Sequence, residues 1–365
     1  MSYEIDTRCI HGEGHKNRDA NCSISYPIYQ TASFSHLTPG HNPTGFDYSR
    51  ESNPTRTYLE ETISSLEHAY DTIAFASGMA AIATVFEYFK PGDHIILGDD
   101  LYGGVVRLIT QISEKNGYNI EYVSTSDINA LENSIRPDTR AIYFETPTNP
   151  MMHITDIGAV SKLAHDAGAL VIVDNTFMTP YFQNPISEGA DIVVHSGTKY
   201  LSGHNDTVCG FLCSADKILA DRFRLLSKTT GATLGPFECW LCLRGLKTLA
   251  IRMDRHKSNA EAVKAWLENR EEVEKVYYAG SGMISFSVKS AEFAVKVLES
   301  IKLITFAESL GGTESLLTYP IIQTHPDVPE EIRKKLGITD KLFRLSVGIE
   351  NPGDIINDLK TAFES

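Results

Sequence analysis

The chain has 365 residues, 33 Lys+Arg against 47 Asp+Glu for a formal charge of −14, and 42% hydrophobic residues. That acid excess argues against nucleic acid or an anionic membrane surface as the main partner, and the apolar share is ample for the cores of about two domains. No apolar run approaches the roughly 20 residues of a bilayer span, the start lacks the marks of a signal peptide, and six cysteines make no disulfide scaffold, so a cytoplasmic globular protein with free thiols is expected.

Residues 1–55 are rich in Gly, Pro, Asn, Ser and His with little periodicity, and read as an irregular arm packed on something or functional. His11, His15 and Cys22 belong to this arm and read as surface residues. From Thr57 the texture alternates. Apolar spacing predicts helices over 59–70, 79–89 and 154–167, and strands over 72–76, 93–98, 118–123, 141–144, 169–173 and 191–195. Successive apolar residues in these strands mark burial on both faces, so an open, doubly wound α/β sheet is predicted. A helical run over 236–270 follows. Cys239 and Cys242 form a CxxC inside it, with Cys209 and Cys213 upstream, but at helical spacing they read as small apolar residues, and no metal is expected. Strand-like 273–278 and 283–288, a helix over 291–300, strand-like 302–306 and 344–347 and a helical tail from Asp354 suggest a smaller α+β domain. The expected organisation is an arm (1–55), a large α/β domain (56–245) and a small C-terminal domain (246–365).

Ligands of open α/β sheets sit at the carboxyl ends of the strands. Asp174 ends the apolar run Ala-Leu-Val-Ile-Val, and a buried carboxylate is costly without a cation. Alone it reads as a cap or a structural hydrogen bond. Lys199 follows the next strand between the hydroxyls of Ser196 and Thr198. A lone lysine reads as a surface charge, but this position also suits a Schiff-base lysine. Ser77-Gly78-Met79 opens a helix after a strand and offers amides to an anion. Tyr102, followed by two glycines, has room to stack on a flat ring. An amine for an aldehyde, a carboxylate for a ring nitrogen and donors for a phosphate are what pyridoxal 5'-phosphate (PLP) requires.

The motifs Tyr48-Ser-Arg50 with Asn53-Pro-Thr-Arg56, Ala76-Ser-Gly-Met79-Ala-Ala, Asp100-Leu-Tyr102-Gly-Gly, Glu145-Thr-Pro-Thr-Asn149-Pro, Val173-Asp174-Asn-Thr176, Ser196-Gly-Thr198-Lys199, Glu308-Ser309-Leu-Gly-Gly and Arg344-Leu-Ser-Val-Gly-Ile-Glu350 occur in order along nearly the whole chain. With them the sequence resembles the PLP-dependent enzymes of cysteine and methionine metabolism. These are cystathionine γ-synthases, γ-lyases and β-lyases, methionine γ-lyases and O-acylhomoserine sulfhydrylases. The resemblance implies a fold-type I (aspartate aminotransferase-like) architecture and a homotetramer with shared active sites. It implies that Lys199 holds the cofactor covalently and shuttles protons, that Asp174 pairs with the ring nitrogen, and that Asn149 bonds the phenolic oxygen. Tyr102 stacks on the ring and assists as acid or base; Ser77, Gly78, Met79, Ser196 and Thr198 hold the phosphate. Tyr48 and Arg50 reach the phosphate of a neighbouring subunit. Arg344 grips the substrate α-carboxylate, which Ser309 assists through its backbone.

The same resemblance implies γ-elimination or γ-replacement on sulfur-linked or O-acylated homoserine derivatives. Glu308 and Gly104 match the cystathionine-handling members, and Arg107 with Glu308 would hold the distal end of a zwitterionic substrate; as surface charges they read equally well. A methionine γ-lyase, an O-acylhomoserine sulfhydrylase or a β-lyase on the same fold are the alternatives, with a PLP aminotransferase or a silent homologue behind them. Two departures stand out. Tyr278-Ala-Gly-Ser-Gly282-Met283 runs straight through where relatives carry about twenty more residues, so a small-domain helix is expected to be missing. Tyr319-Pro-Ile321 and Pro326-Asp327 also differ, ahead of and behind the matching Thr324-His325.

Overall fold

The structure is a computed structural model that describes residues 3–12, 19, 21–326 and 328–365; His15 and Asp327 lie outside them. The larger sheet contains β1 (Asp71–Phe75), β2 (His94–Gly98), β3 (Asn119–Val123), β4 (Thr139–Glu145), β5 (Leu170–Asp174), β6 (Ile192–Ser196) and β7 (Gly210–Ser214). Their order is β1-β7-β6-β5-β4-β2-β3. The run from β3 to β6 is parallel, while β7 is antiparallel to both β6 and β1. The smaller sheet holds β8 (Val273–Tyr278), β9 (Met283–Val288), β10 (Thr305–Phe306), β11 (Leu316–Thr318) and β12 (Leu342–Ser346), in the order β10-β11-β12-β9-β8.

The first helices are α1 (Ile5–His11), α2 (Pro54–Glu67), α3 (Gly78–Phe86), α4 (Gly103–Asn116), α5 (Ile128–Ser134), α6 (Ile157–Asp166) and α7 (Thr179–Phe182). After them come α8 (Lys217–Thr230), α9 (Pro236–Leu246), α10 (Leu249–Leu267), α11 (Ala291–Ser300), α12 (Glu330–Leu336) and α13 (Pro352–Glu364). Asn53 caps α2 by accepting the Thr55 amide at 3.0 Å, with Pro54 at the first helical position. Strand alternation sorts side chains to two faces. Val171, Val173 and Val193 share a core with Leu59 and Ile63 of α2, whereas Ile172, Ile192 and Val194 share one with Val85 of α3 and Phe223 of α8.

Three sequence expectations need correction. The arm contains α1, whose Cys9 is buried in the first core, although among the described residues 21–53 form no further helix or strand. The predicted helix over 236–270 is two helices. Thr248 Oγ1 donates to Gly245 O at 3.1 Å and Arg252 Nε donates to that hydroxyl at 3.1 Å, a local bond that competes with helix continuation. Cys239 and Cys242 are buried on α9, and a hydrogen bond with Cys209 together with burial pushes the Cys242 thiol well up. The strand over 302–306 shrinks to Thr305–Phe306. The amides of Lys302, Leu303 and Ile304 turn instead to the Asp358 carboxylate of α13, at 3.0, 3.0 and 2.9 Å.

The β8–β9 connection is the four residues 279–282, in register Tyr278↔Ile284. A Cβ at Gly282 would stand 2.6 Å from Tyr200 Oη, so this turn rests on the residue after Lys199.

Because three amides converge on one carboxylate, Asp358→Ala should cost about 2 kcal/mol, read as a lower urea midpoint with unchanged slope; an unchanged midpoint contradicts this.

Candidate active site

One cavity of about 300 Å³ opens at the carboxyl ends of the central strands. It gathers Ser77, Gly78, Met79, Tyr102, Asn149, Asp174, Ser196, Thr198, Lys199, Glu308, Ser309 and Arg344 from both sheets and their loops. Tyr48, Arg50 and Arg107 do not line it. Tyr48 is exposed beside Arg50, whose guanidinium stands 5.4 Å from its ring and donates to Lys228 O. Arg107 lies exposed on α4.

Asp174 forms the floor. Its Oδ1 accepts from the amide and hydroxyl of Thr176 at 3.0 and 2.5 Å. Its register neighbour is a second acid, Glu145, which accepts the Tyr102 amide at 2.7 Å and so fixes Tyr102 at the start of α4. Burial, and then the charge of Asp174, pushes Glu145 well above the ordinary carboxylate range; burial also raises Asp174, against the two Thr176 bonds that lower it.

At one wall α3 begins. Ser77 caps it by accepting the Ala80 amide at 3.1 Å, which leaves the Gly78 and Met79 amides without intrahelical partners by position. Strand β7 passes close behind: a Cβ on Gly210 would stand 2.3 Å from Ser77 O and 2.5 Å from Gly78 N. Thr198 Oγ1 is tied to Cys209, donating to its carbonyl at 3.1 Å and accepting its amide at 3.0 Å.

Lys199 Nζ donates to Ser309 Oγ at 3.0 Å. Burial, then the charge of Arg344, lowers its amine from 10.5 to about 8, with Glu308 opposing. Arg344 sits on the central strand β12 and is buried, not an edge-strand surface charge. Its Nη1 donates to Asn149 Oδ1 at 2.9 Å, and its Nη2 to Ser309 O and Thr318 Oγ1, each at 3.1 Å. Ser309 therefore contributes a hydroxyl as well as its backbone, and it holds φ at +116°, a sparsely populated conformation for a side-chain-bearing residue. His325 Nε2 reaches Asn149 O at 3.1 Å from the small-sheet side.

Sequence reasoning assigned no role to Glu145, Thr176, Thr318 or Gly210. Glu145 stands in Glu145-Thr-Pro-Thr-Asn149-Pro and Thr176 in Val173-Asp174-Asn-Thr176, and a carboxylate at a strand end was the available signal. Thr318 lies on the unpredicted β11 and Gly210 on the unpredicted β7, so nothing marked them.

A half-buried carboxylate at the floor of a cavity, an amine of lowered basicity and free helix-start amides fit a cofactor with a protonated ring nitrogen, an aldehyde and a phosphate. The fold and cavity thus define a fold-type I PLP-dependent enzyme. Residues 6–364 match the family model "Cys/Met metabolism PLP-dependent enzyme", and the chain belongs to that family. It is 46% identical to the cystathionine gamma-synthase of Haemophilus influenzae, over 100% of this chain and 98% of that one. It is 43% identical to the cystathionine beta-lyase of Lactococcus lactis, over 99% of each. The crystal structure of cystathionine gamma-lyase from Lactobacillus plantarum complexed with L-serine superposes with a TM-score of 0.96 at 42% identity, covering 100% of this chain and 99% of that one.

Two outcomes follow. Gly210→Ala should drive β7 into the start of α3 and weaken PLP binding by about tenfold or more, measured by titrating the stripped protein with the cofactor; unaltered binding refutes the packing argument. Because the lysine must be neutral to attack an aldehyde, recombination of the stripped protein with PLP should accelerate as pH rises through about 8 and level off above it. A rate still climbing steadily towards pH 10.5, the ordinary lysine value, contradicts it.

Proposed function

We propose that the enzyme carries out γ-elimination or γ-replacement on sulfur-linked or O-acylated homoserine derivatives, with cystathionine as substrate or product. The observation that carries this is Arg344. Its guanidinium is buried, faces the same cavity as Lys199, leaves Nε without a partner, and forms no ion pair among the described residues. Such a group suits the α-carboxylate of an amino acid held bidentately. Asn149, Thr318 and Ser309 O aim it.

The bound cofactor supplies an electron-withdrawing ring that stabilises negative charge at the substrate Cα. Asp174 holds the ring nitrogen in its protonated state, and the Gly78 and Met79 amides with Ser77, Ser196 and Thr198 receive the phosphate. Asn149, which lines the same cavity, would bond the phenolic oxygen. Lys199 Nζ, of lowered basicity, takes the Cα proton while Ser309 Oγ holds it in reach. Tyr102 would stack on the ring; burial, then the charge of Glu308, raises its phenol, which favours the protonated form. Elimination would also need a base for the Cβ proton and an acid for the departing γ heteroatom; Lys199, once relieved of the first proton, would serve as the base and the Tyr102 phenol as the acid. Glu308, exposed at the rim, faces the distal ammonium of a zwitterionic substrate, with Arg107 further out on α4.

We further assign 1–55 to an arm, 56–245 to the large domain and 246–365 to the small one. In a homotetramer the arm would carry Tyr48 and Arg50 to the phosphate of a neighbouring subunit, which accounts for their position outside their own cavity. Six free cysteines fit a reducing compartment, the cytoplasm. The 43% identity to a β-lyase keeps β-elimination as the second reading.

Product analysis separates the cases. Cystathionine should give 2-oxobutanoate and cysteine, or O-acetylhomoserine with cysteine should give cystathionine. A turnover that requires an added keto acid and releases no thiol defeats the proposal. Arg344→Leu should lower kcat/KM by about 100-fold, mainly through KM.

A further inference from the structure

Helix α2 ends on Glu67, a wholly buried carboxylate at the negative end of the helix dipole. Both placements are unfavourable, and a local rule broken at such a position points to function. Glu67 Oε1 accepts from Asn175 Nδ2 at 2.9 Å and from His195 Nε2 at 2.5 Å. Glu67 Oε2 and His195 Nδ1 have no hydrogen-bond partner among the described residues, so the one oxygen serves both contacts. Asn175 directly follows Asp174, and His195 directly precedes Ser196. Alternation turns Asn175 and His195 to the face away from the cavity. On the cavity face the Ser196 amide donates to Thr176 Oγ1 at 2.9 Å, and that hydroxyl donates to Asp174 Oδ1. The tips of β5 and β6 are therefore tied on both faces, by Thr176 on one and by Glu67 on the other.

We propose that Glu67, acting through Asn175 and His195, is a positioning residue that sets the separation of Asp174 and Ser196, and with it the simultaneous fit of the cofactor's ring nitrogen and phosphate. This rests on the assignment of Asp174 and Ser196 to the cofactor. Glu67→Gln keeps an oxygen of the same reach and removes the charge. In the full-length variant, the PLP dissociation constant should rise about tenfold, and the ³¹P resonance of the bound phosphate should move, while kcat falls and substrate KM holds. His195→Gln, which keeps a side-chain N–H near Nε2, should recover most of the affinity that His195→Ala loses. A merely structural Glu67 would lower the unfolding temperature and leave the dissociation constant and the ³¹P resonance unchanged, which overturns the proposal. Should Glu67→Gln not fold, equal losses in the two His195 variants overturn it instead. Asp174→Ala is the control: wild-type affinity there removes the cofactor assignment itself, whereas weakened binding there with unaltered Glu67→Gln removes only the clamp.

Discussion

The site is organised around a carboxylate carried inside the protein ahead of its cation. Asp174 lies in register beside Glu145 on adjacent parallel strands; Glu145 is buried and Asp174 is half-buried where it meets the cavity. Two acids so placed lose hydration and repel, and each becomes harder to ionise. Glu145 is accommodated because the Tyr102 amide meets it and its proton is well held. Asp174 is accommodated by Thr176 on one oxygen, and in the proposed role a protonated ring nitrogen would be the cation that stabilises its ionised form. The same dryness that raises the acids lowers the amine of Lys199. One desolvated pocket thus shifts acid and amine in opposite senses.

Much of this was legible in the chain. Asp174, Lys199, Ser196 and Thr198 stand immediately after apolar runs, and in a doubly wound sheet strand ends converge, so residues far apart in sequence could be placed in one cavity. Gly78 and Met79 were legible for the same reason. The missing pieces are of another kind. Strand β7 is antiparallel and follows a polar loop, and only Phe211 to Cys213 of its five residues are apolar, too few for a pattern. Strand β11 is three residues long, too short for periodicity, yet its Thr318 aims Arg344. Residues 302–304 have strand composition, but their amides are captured by Asp358, over fifty residues away in sequence. Tertiary contacts of that kind leave no local trace.

The arm and the rim show where pattern reading stops. Tyr48, Arg50 and Arg107 stand outside the cavity of their own chain, in positions that spacing does not specify. Their chemistry depends on what the exposed face meets, whereas that of Arg344 is set by burial within one chain. A guanidinium inside a sheet is costly without an anion, so its presence there narrows the ligand. An exposed Glu308 narrows it far less, since solvent satisfies it as readily as an ammonium does.

The short turn over 279–282 can be weighed on the same footing. It joins β8, the edge strand, to β9, and Gly282 approaches Tyr200 and His256 so closely that a Cβ there would stand 2.6 Å from one and 2.9 Å from the other. Gly282 O also accepts the Val347 amide at 2.9 Å, and His256 Nδ1 donates to Val347 O at 2.7 Å. The turn is therefore fastened to the neighbour of Lys199 and to the end of the strand that bears Arg344. Gly282 permits that seating, because any side chain there would meet Tyr200 and His256. The turn thereby steadies the element that follows Lys199 and the strand end beyond Arg344, while Ser309, bonded to Lys199 Nζ through its hydroxyl and to Arg344 Nη2 through its carbonyl, links the amine to the guanidinium directly.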